Sequence, residues 1–375
     1  MTKGLYIHIP FCDQICTYCD FPRIITKVGQ QEAYLNALIK ELKDYEQTIG
    51  FANLQTLYIG GGTPTALTVQ QLTKLFAYLK QSLSFTSLKE ISIEANPENL
   101  TKAKIDFLLS QGITRISLGV QTFNEKLLKQ IGRNHTGKAA MQVIKQLQKS
   151  GFKNINLDMI YGIPGQTLMQ VERDLEIALD LDVPHISAYS LIVEEHTPLY
   201  LAHRKNQLSL IDNELEAKMY EVIMNTLIAN GFQHYEISNF TKGAPSFHNL
   251  LYWQNEEYIG VGLGAHGYLK GRRYYNTRSI NKYLQLKPRV EEFKLSQTEK
   301  IEECLFLGLR LMQGLEISAV NQKYQISIEE LYQTTLKKFT EQGYLEIKEG
   351  WLRLTRQGIL MANEVFAAFL LDELS

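Results

Sequence analysis

The feature that most constrains the fold is an alternation of short β-rich runs with amphipathic segments along the first two thirds of the chain. Six runs rich in Ile, Val, Leu or Tyr are predicted strands, at 4–9, 56–61, 90–95, 115–120, 154–162 and 185–191. Helical periodicity predicts helices near 31–48, 68–82, 101–110, 136–149, 167–180 and 212–229. Alternating strands and helices form parallel sheets with right-handed crossovers. The predicted fold class is α/β, a partial (βα)6 barrel with its functional groups at the carboxyl ends of the strands.

The pattern changes after about residue 280. One amphipathic helix is predicted over 298–315, and Cys304 on its apolar face is expected to be a buried structural thiol. From Ile317 onward the order helix, helix, hairpin, helix resembles a winged helix, with Glu349 and Gly350 at the hairpin turn. We therefore expect two domains, a core over 1–285 and a C-terminal helical, winged-helix-like domain over 290–375.

Composition excludes some classes of function. The 375 residues carry a net charge of -1, with 45% hydrophobic and 21% charged residues, as in ordinary globular proteins. There is no charged-then-apolar leader, and each apolar stretch is broken by a polar residue, so we expect a cytoplasmic protein without a transmembrane helix. From Ser318 to Ser375, six Lys and Arg oppose eight Asp and Glu, whereas a DNA reader concentrates positive charge. The C-terminal domain is expected to be a lid or docking module, and no nucleic-acid partner is expected.

Three cysteines, Cys12, Cys16 and Cys19, lie within eight positions directly after the first predicted strand. In a reducing compartment such clusters are more often metal ligands or catalytic groups than disulfides. A closed zinc site uses four ligands, so zinc would need His8 or Asp20 to complete it. Three thiolates suit a [4Fe–4S] cubane, in which they bind three irons and leave the fourth open to a small chelating molecule. Incidental clustering is the remaining alternative.

The spacing C-x3-C-x2-C, with the aromatic Tyr18 before the third cysteine, resembles the motif of the radical S-adenosylmethionine (SAM) superfamily. The segment GGGTP at 60–64 follows the second predicted strand and resembles the glycine motif of that superfamily, although alone it would be a plain tight turn. The resemblance implies that Cys12, Cys16 and Cys19 hold a [4Fe–4S] cluster whose open iron is chelated by the amino and carboxylate groups of SAM. It also implies the chemistry of these cofactors, reductive cleavage of SAM to a 5'-deoxyadenosyl radical.

Polar residues at or near the carboxyl ends of the predicted strands are candidate SAM ligands, although each could also be a loop residue or a core hydrogen-bonding group. By resemblance to the coproporphyrinogen-oxidase-like branch, Glu94 would bind the α-amino group, Arg133 the α-carboxylate and Asp158 the ribose. Gln121 would support the nucleoside, and Tyr6 would approach the sulfonium. The positions that the resemblance implies for SAM are Tyr6, Tyr18, Gly61, Gly62, Thr63, Glu94, Gln121, Arg133, Asp158, Ile192, Gly264 and Ala265.

That branch contains two functions, oxygen-independent coproporphyrinogen III oxidases of porphyrin biosynthesis and HemW-type heme chaperones. The oxidases have a further cysteine two residues beyond the triad, where this chain has Phe21, and a longer arm before the first strand. The segment HNLLYW, which runs from His248 to Trp253, matches the H-N-x-x-Y-W motif of the heme chaperones. These features favour the chaperones.

A histidine imidazole is a common axial ligand of heme iron, and aromatic rings pack well on a porphyrin. The motif therefore predicts heme binding by His248, Tyr252 and Trp253, on the same mouth of the barrel as SAM, with a structural hydrogen-bonding histidine as the alternative. His266 is a second candidate for the iron ligand, and covalent attachment stays open.

The sequence thus predicts a heme chaperone that binds a [4Fe–4S] cluster, SAM and heme and transfers heme to acceptor proteins. Membrane contact is expected only through those acceptors. The alternative is the oxidase, whose activity is not expected.

Overall fold

The computed structural model describes residues 1–27 and 29–371, so the last four residues of the predicted C-terminal domain lie outside the described part. The first half of the chain alternates strands with helices, and each of the six predicted strands ends within one residue of its predicted bounds. These elements are β1 (Gly4–Ile9), β2 (Phe11–Cys12), β3 (Ile24–Ile25), α1 (Gln30–Thr48), β4 (Thr56–Gly61), α2 (Val69–Ser82), β5 (Glu90–Ala95), α3 (Lys102–Ser110), β6 (Arg115–Gln121), α4 (Glu125–Gln130), α5 (Gly137–Ser150), β7 (Asn154–Tyr161), α6 (Leu168–Asp180), β8 (His185–Ser190), α7 (Pro198–Arg204) and α8 (Asn213–Ala229).

The next part of the chain contains strands that the sequence analysis did not predict. They extend the same sheet, and two short helices lie between them. These elements are β9 (Gln233–Glu236), β10 (Asn239–Thr241), α9 (Phe247–Trp253), β11 (Tyr258–Val261), β12 (His266–Leu269), β13 (Arg272–Asn276), α10 (Ile280–Leu284) and β14 (Arg289–Lys294).

The main sheet has twelve strands in the order β14-β13-β12-β11-β1-β4-β5-β6-β7-β8-β10-β9. The six predicted strands pair in parallel, and β11 adds a seventh parallel strand beside β1. The flanking strands join through antiparallel pairs at both edges. The predicted α/β fold is therefore confirmed as a mixed sheet, and among the described residues no hydrogen bonds close it into a barrel.

The two faces of this sheet have different chemistry, because successive side chains of a strand point to opposite sides. On β1, Leu5, Ile7 and Ile9 are fully buried in the main hydrophobic core together with apolar side chains of α1 and α2. The alternate positions carry polar or aromatic side chains, such as Tyr6 and His8 on β1. The same alternation on the neighbouring strands places Thr56, Tyr58, Ser92, Glu94, Arg115, Ser117, Asn156 and Asp158 on the face opposite the helices. The strand ends on this polar face form the site described below.

The helices begin where the sequence supplies capping side chains. At α2 the Thr68 hydroxyl accepts from Gln71 N at 3.2 Å, while the Gln71 side chain accepts from Thr68 N at 2.9 Å. Thr167 and Gln170 form the same capping box at α6. These reciprocal bonds satisfy orphan donors of the first helical turn.

The C-terminal part has its own hydrophobic core, which includes Leu305, Ile328, Leu352 and Phe369. Its elements follow the predicted order of helices, hairpin and helices. They are α11 (Gln297–Gly308), β15 (Leu315–Glu316), α12 (Ile317–Tyr324), α13 (Ile328–Leu331), α14 (Gln333–Glu341), β16 (Leu345–Lys348), β17 (Trp351–Leu354), α15 (Arg356–Leu360) and α16 (Ala362–Ala367). The two cores lie on either side of the predicted boundary near 285–295, which stays a prediction.

The helix predicted over 298–315 is wrong in its second half, since α11 ends at Gly308. The reason is tertiary pairing with the main sheet. Met312 N donates to Tyr235 O at 3.1 Å, and Ile237 N donates to Arg310 O at 3.0 Å. These bonds flank an isolated antiparallel bridge between Leu311 and Glu236, with turns on both sides of Leu311, which helical periodicity could not reveal. None of the described helices is both long and apolar enough to cross a bilayer.

Candidate functional site

The cysteine loop follows β1 at the carboxyl end of the parallel strands. Cys12 belongs to β2, which pairs in parallel with β3 and so closes the loop that carries Cys16 and Cys19. Ile24 N donates to Pro10 O at 2.8 Å and fastens the two ends of the loop. We call this end of the sheet the mouth; it comprises residues 12–26, 60–64, 94–96, 119–123 and 262–266.

The three thiols lie among hydrogen-bond donors. The Thr63 hydroxyl donates to Cys12 Sγ at 3.6 Å, and Arg133 Nη1 donates to Cys16 Sγ at 3.6 Å. Burial raises the pKa of Cys12 to about 11, and the nearby Cys19 and Cys16 raise it further against the lowering effect of Thr63. Burial also raises the pKa of Cys19. Because three crowded thiolates repel one another, they would need a positively charged partner, which the irons of a cluster would supply.

In the described part of the chain, no three His, Cys, Asp or Glu side chains surround one point as ligands of a single metal ion would. The thiolates of a cubane bind different irons and need not converge on one point. The two residues considered for completing a zinc site have other partners. His8 Nε2 is hydrogen-bonded to Pro22 O at 2.7 Å and Nδ1 to Tyr6 Oη at 2.9 Å, while Asp20 pairs with Arg278 at 3.3 Å. The donor set therefore fits the cluster better than zinc.

Cys304 is buried in the C-terminal core, as expected for a structural thiol. Burial raises its pKa, and it lies beside Tyr324.

The glycine segment after β4 packs between the cysteine loop and β5. Gly61 has φ +115, in the region that glycine tolerates best, and its N–H donates to Glu94 Oε2 at 2.9 Å. A Cβ on Gly62 would lie 2.7 Å from the carbonyl carbon of Pro10, so no other residue fits there without a shift. The Asn96 amide donates to the Thr63 hydroxyl at 3.0 Å. The predicted glycine motif thus joins the cysteine loop to Glu94.

Two carboxylates lie on the polar face near the mouth. Tyr58 Oη donates to Glu94 Oε1 at 2.9 Å. Burial raises the pKa of Glu94 to about 7, and the charge of Asp158 adds to this shift. Asp158 accepts from Ser117 Oγ at 2.9 Å and from Asn156 Nδ2 at 2.8 Å, while burial raises its pKa as well. A cationic group such as an ammonium would stabilise this pair of carboxylates.

Arg133 spans the space between the cysteine loop and β6. Its Nη2 donates to Gly119 O at 2.9 Å, and its Nε is buried without a hydrogen-bond partner among the described residues. Gln121, at the end of β6, has φ 66, and its Nε2 lies 3.0 Å from where a Cβ on Gly119 would stand. Tyr18 lies close to Arg133 and packs on a small apolar cluster. A free guanidinium N–H at this place fits a carboxylate ligand.

Of the remaining predicted SAM positions, Tyr6 lies within β1, and Ile192, Gly264 and Ala265 follow the carboxyl ends of β8 and β11. Tyr6 stacks on Tyr58, with ring centroids 6.1 Å apart. Ile192 follows β8 and is 67% exposed. Gly264 has φ +66 and packs on Pro22, and Ala265 is buried beside it.

The structure therefore brings the predicted cluster and SAM residues to one end of the sheet. The sequence analysis missed Tyr58 and Asn96, which contact Glu94 and Thr63 there. The period-two alternation of β4 could have indicated Tyr58.

The predicted heme motif lies at the opposite end of the sheet. Helix α9 packs against Gly4, Thr56 and Glu90, the first residues of β1, β4 and β5. We call this end the floor; it comprises residues 4, 56, 90 and 115 with α9. Along β1 it lies about 16 Å from the mouth at ~3.3 Å per residue. The prediction that the motif lies at the same mouth as the SAM residues is wrong. After β10 the chain crosses to the amino ends of β1, β4 and β5, and α9 packs there.

His248 is fully buried at this floor. Its Nδ1 is hydrogen-bonded to Thr56 Oγ1 at 2.7 Å and its Nε2 to Tyr252 Oη at 2.8 Å. Burial, and then the positive charge of Arg115, lowers the pKa of His248 to about 3, so the ring is neutral. The guanidinium carbon of Arg310 lies 4.4 Å from the ring centroid of Trp253. This contact connects the floor to the C-terminal part.

His266, the second candidate, lies at the mouth. It begins β12, its side chain is exposed, and it stacks on Tyr275 with centroids 5.5 Å apart. Burial, followed by the charges of Arg278 and Arg273, lowers its pKa.

Comparison with known proteins connects this geometry to a family. Residues 6–178 match the radical SAM superfamily, and residues 295–361 match the HemN C-terminal domain. The chain is 42% identical over 379 residues to the heme chaperone HemW of Lactococcus lactis, covering 100% of this chain and 98% of that relative. It is 43% identical over 375 residues to the heme chaperone HemW of Bacillus subtilis, covering 98% and 99%. The chain belongs to the HemW family.

A solved structure extends the HemW family comparison to the fold. The coproporphyrinogen III oxidase HemN of Escherichia coli, a radical SAM enzyme, superimposes with a TM-score of 0.84 at 23% identity, covering 98% of this chain and 90% of that one. The likeness shows that this HemW-family chain has the α/β radical SAM fold with a C-terminal helical domain.

Proposed function

We propose that this protein is a heme chaperone that binds a [4Fe–4S] cluster, SAM and heme, and transfers heme to acceptor proteins. The observation that carries the proposal is identity above 40% along essentially the whole chain to relatives named heme chaperones. The cysteine loop and the carboxylate pair at the mouth support the cofactor part. We expect the protein to work in the cytoplasm, with heme acceptors and not nucleic acids as its partners.

Cys12, Cys16 and Cys19 would hold the cluster, and the reduced cluster would supply one electron to bound SAM. In this assignment the donors at Thr63 and Arg133 stabilise the thiolates of Cys12 and Cys16. The support is the pair of N–H and O–H contacts to sulfur, together with the closed loop.

SAM would lie across the mouth. Glu94 and Asp158 would offer carboxylates to its α-amino group and ribose hydroxyls, and the unpartnered Nε of Arg133 would donate to its α-carboxylate. Gln121 would support the nucleoside, and Tyr6, on the polar face beside Glu94, would approach the sulfonium. The adenosine would lie against Ile192, Gly264 and Ala265, and the remaining contacts would come from Tyr18, Gly61, Gly62 and Thr63.

Heme binding by His248, Tyr252 and Trp253 stays a prediction, and the structure sets a condition for it. Both ring nitrogens of His248 are hydrogen-bonded and its side chain has no exposed area. An iron could reach this imidazole only if α9 left the floor of the sheet.

Anaerobic reconstitution of the full chain with iron and sulfide, followed by separate titrations with hemin and with coproporphyrinogen III, tests the proposal. We expect a heme absorption band with the first ligand and no conversion of the second to protoporphyrinogen IX under reducing conditions with SAM. We also expect transfer of the bound heme to an apo-cytochrome. If the protein makes protoporphyrinogen IX and shows no specific heme band, the oxidase is the correct function.

A further inference from the structure

Of the eight histidines of the chain, four are buried, two are half-buried (His203 and His234) and two are exposed. Only His196 and His266 have exposed side chains. His8, His185 and His248 are buried, with both ring nitrogens hydrogen-bonded. An axial heme ligand must present a free ring nitrogen to the iron. His196 and His266 therefore offer a ring nitrogen at the surface, whereas His8, His185 and His248 offer none and the unbonded Nδ1 of His135 is buried 3.4 Å from the Glu98 carboxylate.

His266 lies directly beside the cysteine loop. It follows the turn at Gly262–Gly264, and Gly264 packs against Pro22 of the loop. Arg278, from the segment after β13, donates to Asp20 O at 3.1 Å and to its carboxylate at 3.3 Å. These contacts join the start of β12 to loop residues 20–22.

The ring of His266 is held in position but its nitrogens are not used. Tyr275, its register partner on β13, stacks on it with an interplanar angle of 26°. Tyr275 itself is fixed by a 2.6 Å hydrogen bond from its hydroxyl to Glu291. Among the described residues no side chain or backbone group hydrogen-bonds to the imidazole of His266. The ring is thus oriented, exposed and unpartnered, as an axial ligand needs to be.

The surroundings of His266 match the two other features of heme, an apolar macrocycle and two carboxylates. Phe21 is 66% exposed and Ile25 is 52% exposed on the adjoining loop, although both are large apolar side chains. Arg278 contacts Asp20 of this loop and Arg23 lies within the loop near Cys19, and guanidinium groups pair well with carboxylates. Exposed apolar side chains beside cationic groups are typical of a surface that binds an amphipathic ligand.

We infer that His266 is the axial ligand of the heme iron, and that Phe21, Ile25, Arg23 and Arg278 hold the porphyrin and its carboxylates at the mouth. This inference rests on the proposed heme-chaperone function and assigns the site for it. His248 has instead a structural role, since it fastens α9 to the amino end of β4.

Hemin titration of the reconstituted full-length protein, followed by optical and electron paramagnetic resonance spectra, tests the assignment. In His266→Gly we expect the signature of histidine-ligated heme to disappear and the apparent affinity to fall by about tenfold or more. Free imidazole should restore the signature in this variant, because removal of an exposed ring leaves room for it. His196→Gly, which removes the other exposed imidazole, is the matched control and should titrate like the wild type.

Tyr252→Phe is the second comparison, since it frees the Nε2 of His248 without removing the ring. We expect this variant to keep the wild-type heme signature, and the same of His248→Ala if it folds. The assignment is overturned if His266→Gly keeps the signature, or if changes at His248 or Tyr252 abolish it in a folded protein; the proposed function would survive both results. Absence of heme binding by the wild type would overturn the proposed function itself.

Discussion

The mouth and the floor of the sheet use the same kinds of side chain in different ways. Glu90 and Glu94 both lie on β5, four residues apart and on the same face. Glu90, at the floor, accepts from Phe247 N at 3.0 Å and from His248 N at 3.3 Å, and it faces the fully buried Arg115. Glu94, at the mouth, has the raised pKa of about 7 and a second carboxylate nearby. The Glu90 carboxylate thus has backbone donors and a nearby guanidinium as partners, whereas the Glu94 carboxylate has no cationic side chain bonded to it.

The histidines show the same contrast. His248, at the floor, has both ring nitrogens bonded, whereas His266, at the mouth, is exposed beside an aromatic ring. Polar groups with complete protein partners stabilise a fold, and groups with free donors or acceptors are available to ligands. The comparison therefore supports the proposal that ligands bind at the mouth, whereas the bonded side chains of the floor stabilise the fold.

The largest effect is expected from the cysteine loop. Replacing Cys12, Cys16 or Cys19 singly by Ser should remove iron and sulfide together, because two thiolates cannot retain a cubane whose fourth iron is already without a protein ligand. Iron and acid-labile sulfide content and the visible spectrum after anaerobic reconstitution measure this. Cys304→Ala is the control and should retain the cluster. Loss of the cluster in that control would mean that the fourth thiol is a ligand.

At the floor we expect a loss of stability without loss of ligand binding. Glu90→Ala leaves two helix N–H groups of α9 without their acceptor and removes the negative charge that lies near the buried Arg115. Each buried donor left unsatisfied costs about 1–3 kcal/mol. Chemical denaturation of the cluster-free protein, monitored by circular dichroism, measures the change. If Glu90→Ala left the stability unchanged but weakened SAM binding, the floor would not have the structural role that we assign to it.

The sequence predicted the repeat of strands and helices. It also predicted that the cysteine loop and the glycine segment follow the carboxyl ends of the first two parallel strands. The apolar patterns of strands and helices reflect the burial of each segment. They therefore sufficed to predict the six parallel strands β1, β4, β5, β6, β7 and β8. The sequence could not predict that the segment HNLLYW lies buried at the floor. The position of α9 is fixed by hydrogen bonds to Thr56 and Glu90, which are far away in the sequence. The strands β11 to β14 were missed for a similar reason, since their pairing depends on partners far along the chain or on exposed edge positions with little apolar pattern.

Glu94 should control how SAM binding depends on pH. Its folded-state pKa is raised, so its charge appears only as the pH rises through about 7. The iron-bound α-amino group of SAM would be a neutral amine whose N–H groups donate to Glu94, and a charged carboxylate is the stronger acceptor, so we expect affinity to increase between about pH 6 and 7.5 as Glu94 ionises. Glu94→Gln should lose about 1.5–3 kcal/mol of binding and flatten the profile. Calorimetric titration with SAM at several pH values measures both effects, and an unchanged profile in the variant would contradict the assignment.

Thr63 is expected to give the smallest effect at the mouth. Its hydroxyl donates to Cys12 Sγ at 3.6 Å and accepts from Asn96 at 3.0 Å. Hydrogen bonds to cluster ligands stabilise the reduced, more negative state, so Thr63→Val should make the reduction potential of the cluster more negative while the cluster itself remains bound. The half-buried Asn96 donor also loses its acceptor, at a cost of about 1 kcal/mol in stability. Thr63→Ser keeps the hydroxyl and should behave like the wild type in redox titrations monitored by electron paramagnetic resonance. If Thr63→Ser shifts the potential as much as Thr63→Val does, the hydrogen bond to Cys12 is not the cause of the shift.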